Sequence, residues 1–314
     1  MCRLIQPVLV LAVIAGCAVD SPDAVAEIPA TAVKFDSKRA YNYLVKICRI
    51  GPRVSGSNGM TRQQQMIVEH FAKMKCEVKY QPFEAVHPLQ GTPVRMNNII
   101  VSWHPDAKER VLLACHYDTR PLPDRDPVNR RGVFVGANDG ASGVAFFMEM
   151  AHHMDRIQPK YGVDFVFFDG EELVYDQRGK YFLGSEYFAQ QYKNGNTKCK
   201  YVAGVLLDML GDKRLNVYYE KNSWKMAPNV SKSLFRAAAQ VGVREFVPKI
   251  RHEVQDDHLP LNQIAGIPTC DLIDFDYEYW HTRRDIPANC SGESLAKVGL
   301  VISHWLNMGP AITK

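Results

Sequence analysis

The sequence lacks the features that mark several large classes of protein. It has no dense run of lysine and arginine with interleaved aromatic residues, and 38 basic against 34 acidic residues leave a formal net charge of only +4. This charge pattern does not favour nucleic acid as a partner. With 46% hydrophobic and 23% charged residues, the composition is that of a folded enzyme and excludes collagen, a coiled coil and a mainly disordered chain.

The sequence also lacks the cysteine motifs of structural zinc sites. None of the eight cysteines forms a CxxC pair, and the cysteines and histidines lack the spacing of a zinc finger. An exported protein permits disulfides, but the sequence does not assign partners among the six cysteines that follow Cys17.

The N-terminus has no apolar run long enough to span a bilayer. The stretch from Val8 to Gly16 has the form of a signal-peptide core, and Ile14-Ala-Gly-Cys17 resembles a bacterial lipobox. We therefore expect a signal peptide over residues 1–16, a lipid on Cys17 and a flexible tether over residues 17–34; an ordinary secretory peptide is the alternative. Both predict an exported protein, in the bacterial periplasm or cell envelope or secreted, and a lipid anchor, if present, is its only expected membrane contact.

From residue 35 onward, apolar runs of strand length alternate with segments of helical periodicity. This alternation predicts a mostly parallel, twisted central sheet with helices on both faces, in a single α/β domain over residues 35–314. The predicted strands are 98–102, 111–115, 163–168 and 202–207, and the predicted helices are 61–75, 140–154 and 294–306.

Acidic and histidine side chains follow several of these apolar runs. In an open α/β sheet, ligands collect beyond the carboxyl ends of the strands. Singly, each residue has an ordinary structural explanation, such as a helix cap or a solvated loop. Together they indicate a divalent cation that offsets their repulsion, and carboxylate with imidazole ligands suits zinc. The residues are His116, Asp139, Glu171, Glu172, Asp208 and His281.

The chain also resembles a known family. Its ordered motifs are similar to those of the zinc aminopeptidase clan and, within it, of the glutaminyl cyclases, over nearly all of residues 35–310. The motifs are His116-Tyr-Asp118, Gly-Ala-Asn-Asp139-Gly-Ala-Ser-Gly, Asp-Gly-Glu171-Glu172, Leu-Leu-Asp208-Met-Leu-Gly, Asp256-Asp257-His258 and Trp280-His281-Thr282.

The resemblance implies one of two enzymes. A cyclase would hold a single zinc through Asp139, Glu172 and His281. A two-metal aminopeptidase would place His116 and Asp208 on one ion, Glu172 and His281 on the other, and Asp139 between them. Aminopeptidases of the clan commonly have Ser-Asp-His where this chain has Asp256-Asp257-His258, and cyclases have Asp-Asp-His.

The motifs therefore favour the cyclase. The resemblance implies that N-terminal glutamine of peptides or proteins is converted to pyroglutamate with release of ammonia. We expect the enzyme to be a monomer. The resemblance assigns the proton shuttle to Glu171, orientation of the reacting groups to Asp208 and Asp256, and substrate binding to Trp280 and His258. A second pocket tryptophan of the animal cyclases is absent from residues 173–182. A non-catalytic binding protein is the third hypothesis.

Overall fold

The computed structural model describes residues 29–310. The predicted signal peptide, the lipid on Cys17 and most of the predicted tether lie outside these residues. The last part of the tether packs on the domain, because the backbone N–H of Val33 donates to Ser303 Oγ at 2.9 Å. The packed chain thus begins a few residues earlier than predicted. Within the described residues, no helix has both the length and the apolar character needed to cross a bilayer.

The helices and strands alternate along much of the chain, as the sequence predicts. The helices are α1 (Ser37–Cys48), α2 (Asn58–Phe71), α3 (Ala141–Met150), α4 (Leu183–Lys193), α5 (Lys221–Met226), α6 (Pro228–Gln240), α7 (His258–Gln263) and α8 (Gly292–Met308). The strands are β1 (Glu77–Val86), β2 (Pro93–Trp103), β3 (Glu109–His116), β4 (Gly162–Phe168), β5 (Val174–Tyr175), β6 (Arg178–Gly179), β7 (Lys200–Asp208), β8 (Val217–Tyr219), β9 (Phe246–Ile250) and β10 (Thr269–Ile273).

A six-stranded sheet in the order β1-β2-β4-β3-β7-β10 forms the centre of the domain. Strands β4, β3, β7 and β10 are parallel, whereas β2 is antiparallel to both of its neighbours. The predicted mostly parallel sheet is therefore confirmed, with an antiparallel hairpin, β1–β2, added at one edge.

Alternate side chains of the central strands enter different cores. Leu113 of β3 packs in a large cluster with residues of α1, α2, α3, α6 and α8, whereas its neighbour Leu112 packs with Phe188 of α4 and Leu261 of α7. Because successive residues of a strand point to opposite faces, this division shows that helices cover both sides of the sheet. The prediction of helices on both faces is confirmed.

The predicted helices match in place but differ at their ends. Helix α2 begins after Ser57, whose hydroxyl accepts from the backbone N–H of Met60, and it ends at Phe71 rather than at residue 75. Helix α3 ends at Met150 and continues as a short 3₁₀ turn over Ala151–His153. Both differences lie at helix ends, where capping decides the boundary.

The parallel strands bring their carboxyl ends to one edge of the sheet. His116 is the last residue of β3 and Asp208 the last of β7. Asp169 follows β4 directly, and Asp274 follows β10. A row of acidic and imidazole side chains therefore lines this edge, as expected for a ligand site in an open α/β sheet.

Asp274 gives a pH-dependent prediction at this edge. It is fully buried, and this burial raises its pKa to about 7. The hydrogen bond from the Asn216 N–H lowers the pKa, whereas the charge of Asp212 raises it. A raised folded-state pKa contributes stability at low pH that is lost as pH rises toward that value. The free energy of unfolding of wild type and of Asp274→Asn is measured with urea on metal-free protein at pH 5 and at pH 8. The value for Asp274→Asn relative to wild type should be about 2 kcal/mol higher at pH 8 than at pH 5.

A matched control is Asp106→Asn, which removes an exposed loop carboxylate. Its unfolding free energy relative to wild type should not change between the two pH values. If the difference between Asp274→Asn and wild type is also constant, Asp274 does not titrate in this range and the prediction fails.

Candidate active site

Three of the predicted residues meet at the carboxyl edge of the sheet. Asp139, Glu172 and His281 are buried, and one donor atom from each lies within 4.8 Å of the others. His281 Nε2 is 3.1 Å from Glu172 Oε1 and 3.6 Å from Asp139 Oδ2. Two carboxylates and an imidazole at these distances can hold one divalent cation.

A second group shares Asp139 with the first. His116 Nε2 is 3.2 Å from Asp139 Oδ1 and 3.2 Å from Asp208 Oδ1, and all three residues are buried. The two oxygens of Asp139 thus face different imidazoles, and Asp139 Oδ2 has no hydrogen-bond partner among the described residues. A buried, unpartnered carboxylate oxygen needs a cation or proton, so its surroundings fit a metal.

Two buried carboxylates fix the loops that carry these groups. Asp118 accepts from the backbone N–H groups of Glu171 and Glu172, at 3.2 and 2.9 Å. Asp285 accepts from Asn138 and Asp139 in the same way, at 2.8 and 3.1 Å. The Glu171-Glu172 turn and the turn before α3 are therefore held by side chains from elsewhere in the chain rather than by regular secondary structure.

His281 has an unusual backbone conformation. Its φ of 57° is left-handed, which side-chain-bearing residues adopt at a cost of order 1 kcal/mol or more. Its Nδ1 is 3.1 Å from Asp124 Oδ1, and Asp124 in turn accepts two hydrogen bonds from Arg120. Sequence reasoning missed Arg120 and Asp124, since charges in a polar loop are usually solvated. Their i,i+4 spacing directly after the His116 strand was the available signal.

The acids of the site strongly perturb one another. Burial raises the pKa of Asp139, and the charge of Glu172 raises it further. Burial opposes the protonation of His281, but the neighbouring charge of Glu172 and hydrogen bonds to Asp124 and Glu172 raise its pKa to about 9. Without a metal, the imidazole thus carries the positive charge that the carboxylates require.

Glu171 lies beside this group but outside it. It is 7% exposed and lines a cavity of about 290 Å³ together with Glu172 and His281. Burial raises its pKa well above the ordinary value for a glutamate, and the charge of Glu172 adds to the rise. A carboxyl group that readily holds a proton at a cavity wall is suited to general acid–base chemistry.

Asp256 is buried next to Asp208. Burial raises the pKa of Asp256 well above its usual range, and the nearby charges of Asp208 and then Asp257 raise it further. Asp208 accepts hydrogen bonds from His116 and from the backbone of Met209. Among the described residues no hydrogen bond joins the two carboxyl groups, because Asp256 Oδ1 accepts from the backbone N–H of Asp257 and Asp256 Oδ2 has no partner.

The cavity wall is aromatic on two sides. Trp280 and Phe275 form one side, with ring centroids 4.7 Å apart, and Tyr181 and Phe182 form another. The guanidinium of Arg125 lies 3.9 Å from the centre of the Trp280 ring at the mouth. A larger cavity of about 800 Å³, beside the β1–β2 hairpin, contains no residue of either metal-binding group.

His258, predicted to bind substrate, is buried in this structure. It is the first residue of α7 and is fully buried, with Nε2 3.3 Å from Glu220 and Nδ1 3.7 Å from Asp271. It is not among the residues that line the cavity of about 290 Å³. The six cysteines in the described residues are unpaired.

Comparisons with known proteins agree with this architecture. The model of peptidase family M28 matches residues 98–306. The crystal structure of Fimbriiglobus ruber glutaminyl cyclase is 39% identical, with a TM-score of 0.85 over 90% of this chain and 97% of that chain. The glutaminyl-peptide cyclotransferase of Drosophila melanogaster is 26% identical over 74% of this chain and 70% of its own length.

An aminopeptidase is also among the similar structures. A leucine aminopeptidase precursor from Bacteroides thetaiotaomicron VPI-5482 is 30% identical, with a TM-score of 0.82 over 90% of this chain and 99% of that chain. The chain therefore belongs to peptidase family M28, and within that family it shares the fold of the glutaminyl cyclases.

Proposed function

We propose that this protein is a glutaminyl-peptide cyclotransferase that binds a single zinc through Asp139, Glu172 and His281. The observation that carries the proposal is the convergence of these three buried side chains, one ligand atom of each lying within 4.8 Å of the others. Asp256 Oδ2 is buried and has no hydrogen-bond partner among the described residues, so in the proposed enzyme Asp256 would be free to share a proton with Asp208 and occupy the carboxylate that a second metal would need. The similarity to glutaminyl cyclases over almost the whole domain supports the same conclusion.

The donor set fits zinc. Two carboxylates and one imidazole supply three ligands and leave a position open, as catalytic zinc sites require. A bound cation would give the unpartnered Asp139 Oδ2 a partner. It would also replace the proton that His281 holds in the absence of metal. Zinc, when bound here, supplies Lewis-acid polarisation of the γ-carbonyl of an N-terminal glutamine.

The chain's own residues perform the remaining chemistry. The α-amine of the substrate attacks the Cδ atom of its own side chain, a C–N bond forms, and the amide C–N bond breaks to release ammonia. Glu171 accepts a proton from the attacking amine and returns it to the leaving nitrogen, so the carboxylate is regenerated. Asp208 and Asp256 orient the amine.

The cavity suits a small folded side chain. Because attacker and target belong to one residue, holding that residue curled supplies much of the rate. Trp280 and Phe275 are positioned to pack on its methylene groups, and the segment in which the animal enzymes have a second tryptophan contributes Tyr181 and Phe182 to the lining. The preferred residue after glutamine should therefore differ from that of the animal enzymes.

A di-zinc aminopeptidase is the second candidate. The group His116, Asp139 and Asp208 favours it, since these side chains lie close enough to hold a second ion. The similarity to a leucine aminopeptidase precursor also agrees with this reading.

The natural partners follow from the proposed reaction. They are exported peptides or proteins with N-terminal glutamine, which a monomeric enzyme meets in the periplasm, at the cell envelope or outside the cell. The lipobox-like sequence that ends at Cys17 would keep the enzyme at the membrane through a lipid.

Metal counting combined with a peptide assay tests the proposal. We expect one zinc per chain by elemental analysis, with ammonia and a pyroglutamyl peptide as products from a glutamine-initiated peptide. The same peptide with N-terminal leucine is the control and should remain intact. Two metals per chain, with release of free leucine, would establish the aminopeptidase instead.

A further inference from the structure

Two charged residues connect Glu172 to His281 through the protein. Arg120 Nη1 donates to Glu172 Oε2 at 2.9 Å, and its Nε and Nη2 donate to the two oxygens of Asp124 at 2.9 and 3.0 Å. Asp124 Oδ1 is 3.1 Å from His281 Nδ1. The arginine side chain is 3% exposed, and Tyr181 Oη accepts a further hydrogen bond from it at 3.1 Å.

The two oxygens of Glu172 have different partners. The guanidinium occupies Oε2, whereas Oε1 faces His281 Nε2 at 3.1 Å. A planar guanidinium bound to a carboxylate and a second acid fixes the orientation of both. Glu172 is therefore positioned to offer a single oxygen to a cation.

Asp124 has the corresponding effect on His281. A carboxylate that accepts from Nδ1–H keeps the proton on that nitrogen and leaves the lone pair of Nε2 toward the cation. The same contact also fixes the ring plane of a residue with a left-handed backbone. Carboxylate partners of this kind typically change metal affinity 10- to 100-fold.

We infer that Arg120 and Asp124 are positioning residues, which hold Glu172 and His281 in the orientation for one zinc and thereby set the zinc affinity. The inference rests on the proposed function only in taking zinc as the metal. Both residues line the cavity, and we assign their effect to the two ligands that they contact.

The chain offers a matched control for Asp124. Asp276 also accepts from an arginine and a histidine, with Arg251 Nη1 at 2.9 Å and His252 Nε2 at 2.9 Å, but neither belongs to a metal-binding group. The two aspartate side chains are similarly accessible, at 31% and 27% exposed. Truncation of either removes the same kind of contact.

Zinc affinity, measured by competition with a chromophoric chelator, is the primary test. Asp124→Ala should raise the zinc Kd about 10- to 100-fold, and Asp124→Asn, which keeps an oxygen for the imidazole N–H, should lie between it and wild type. Asp276→Ala should bind zinc as wild type does. The visible spectrum of the cobalt-substituted protein should change in Asp124→Ala alone, since it reports ligand geometry independently of turnover.

Two results would overturn the inference. One is wild-type zinc affinity and cobalt spectrum in Asp124→Ala; the other is an equal loss of affinity in both alanine variants, which would show a general effect of stability. Wild-type protein that binds zinc but leaves glutamine peptides unchanged would contradict the proposed function alone. Wild-type protein that binds no zinc would overturn both.

Discussion

Glu171→Gln should lower kcat on a glutamine-initiated peptide by about 10²- to 10⁴-fold while the protein keeps its zinc. The amide cannot accept the proton of the attacking amine or pass it to the leaving nitrogen. Glu171 lies outside the group formed by Asp139, Glu172 and His281, so the cation is expected to remain. Ammonia release and zinc content, measured on the same preparation, check both parts.

Glu69→Gln is a suitable control, because it removes an exposed carboxylate from α2 and should leave both quantities unchanged. A Glu171→Gln enzyme with near-normal turnover would exclude Glu171 as the shuttle. Loss of zinc in the same variant would instead place Glu171 among the metal ligands.

Asp139→Ala should remove zinc from the protein and abolish cyclisation. Asp139 is the one residue common to both metal-binding groups of the described chain, and its two oxygens face His281 and His116. Its loss leaves Glu172 and His281 as the remaining pair, which is too few protein ligands for a catalytic zinc site. Elemental analysis after dialysis against trace zinc measures the loss.

Asp208→Asn separates the one-metal and two-metal readings. With a single zinc, this variant should retain one ion per chain but turn over slowly, because Asp208 orients the substrate amine and binds no metal. A fall from two ions to one, with peptide hydrolysis lost, would show that Asp208 is a ligand and that the proposed cyclase assignment is wrong.

The sequence predicted the site best where a functional residue lies at or just after the end of a strand. His116, Glu172 and Asp208 were expected at one edge because parallel strands place their carboxyl ends together, and the structure brings them there. Asp139 and His281 lie on loops whose course the pattern alone does not determine. The pattern grouped them with the other acidic and histidine residues, and only the resemblance assigned them as ligands of one metal.

Two kinds of residue were beyond such reasoning. The inward direction of His258 depends on how α7 rotates against Glu220 and Asp271, which a six-residue helix does not encode in a periodic pattern. The contact of Arg120 with Glu172 joins positions 52 residues apart, and that of Asp124 with His281 joins positions more than 100 residues apart, so apart from the i,i+4 spacing of the pair local sequence did not distinguish them from solvated charges. Both depend on tertiary packing.

The three side chains proposed to hold the ion come from distant parts of the chain, with Glu172 and His281 separated by 109 positions. A short peptide from this protein cannot bring them together. We therefore expect the metal to bind after the central sheet has formed and not to initiate folding. Once captured, the ion acts as a cross-link across late-forming loops. Added zinc should thus slow unfolding of the finished domain and leave the early steps of refolding unaffected.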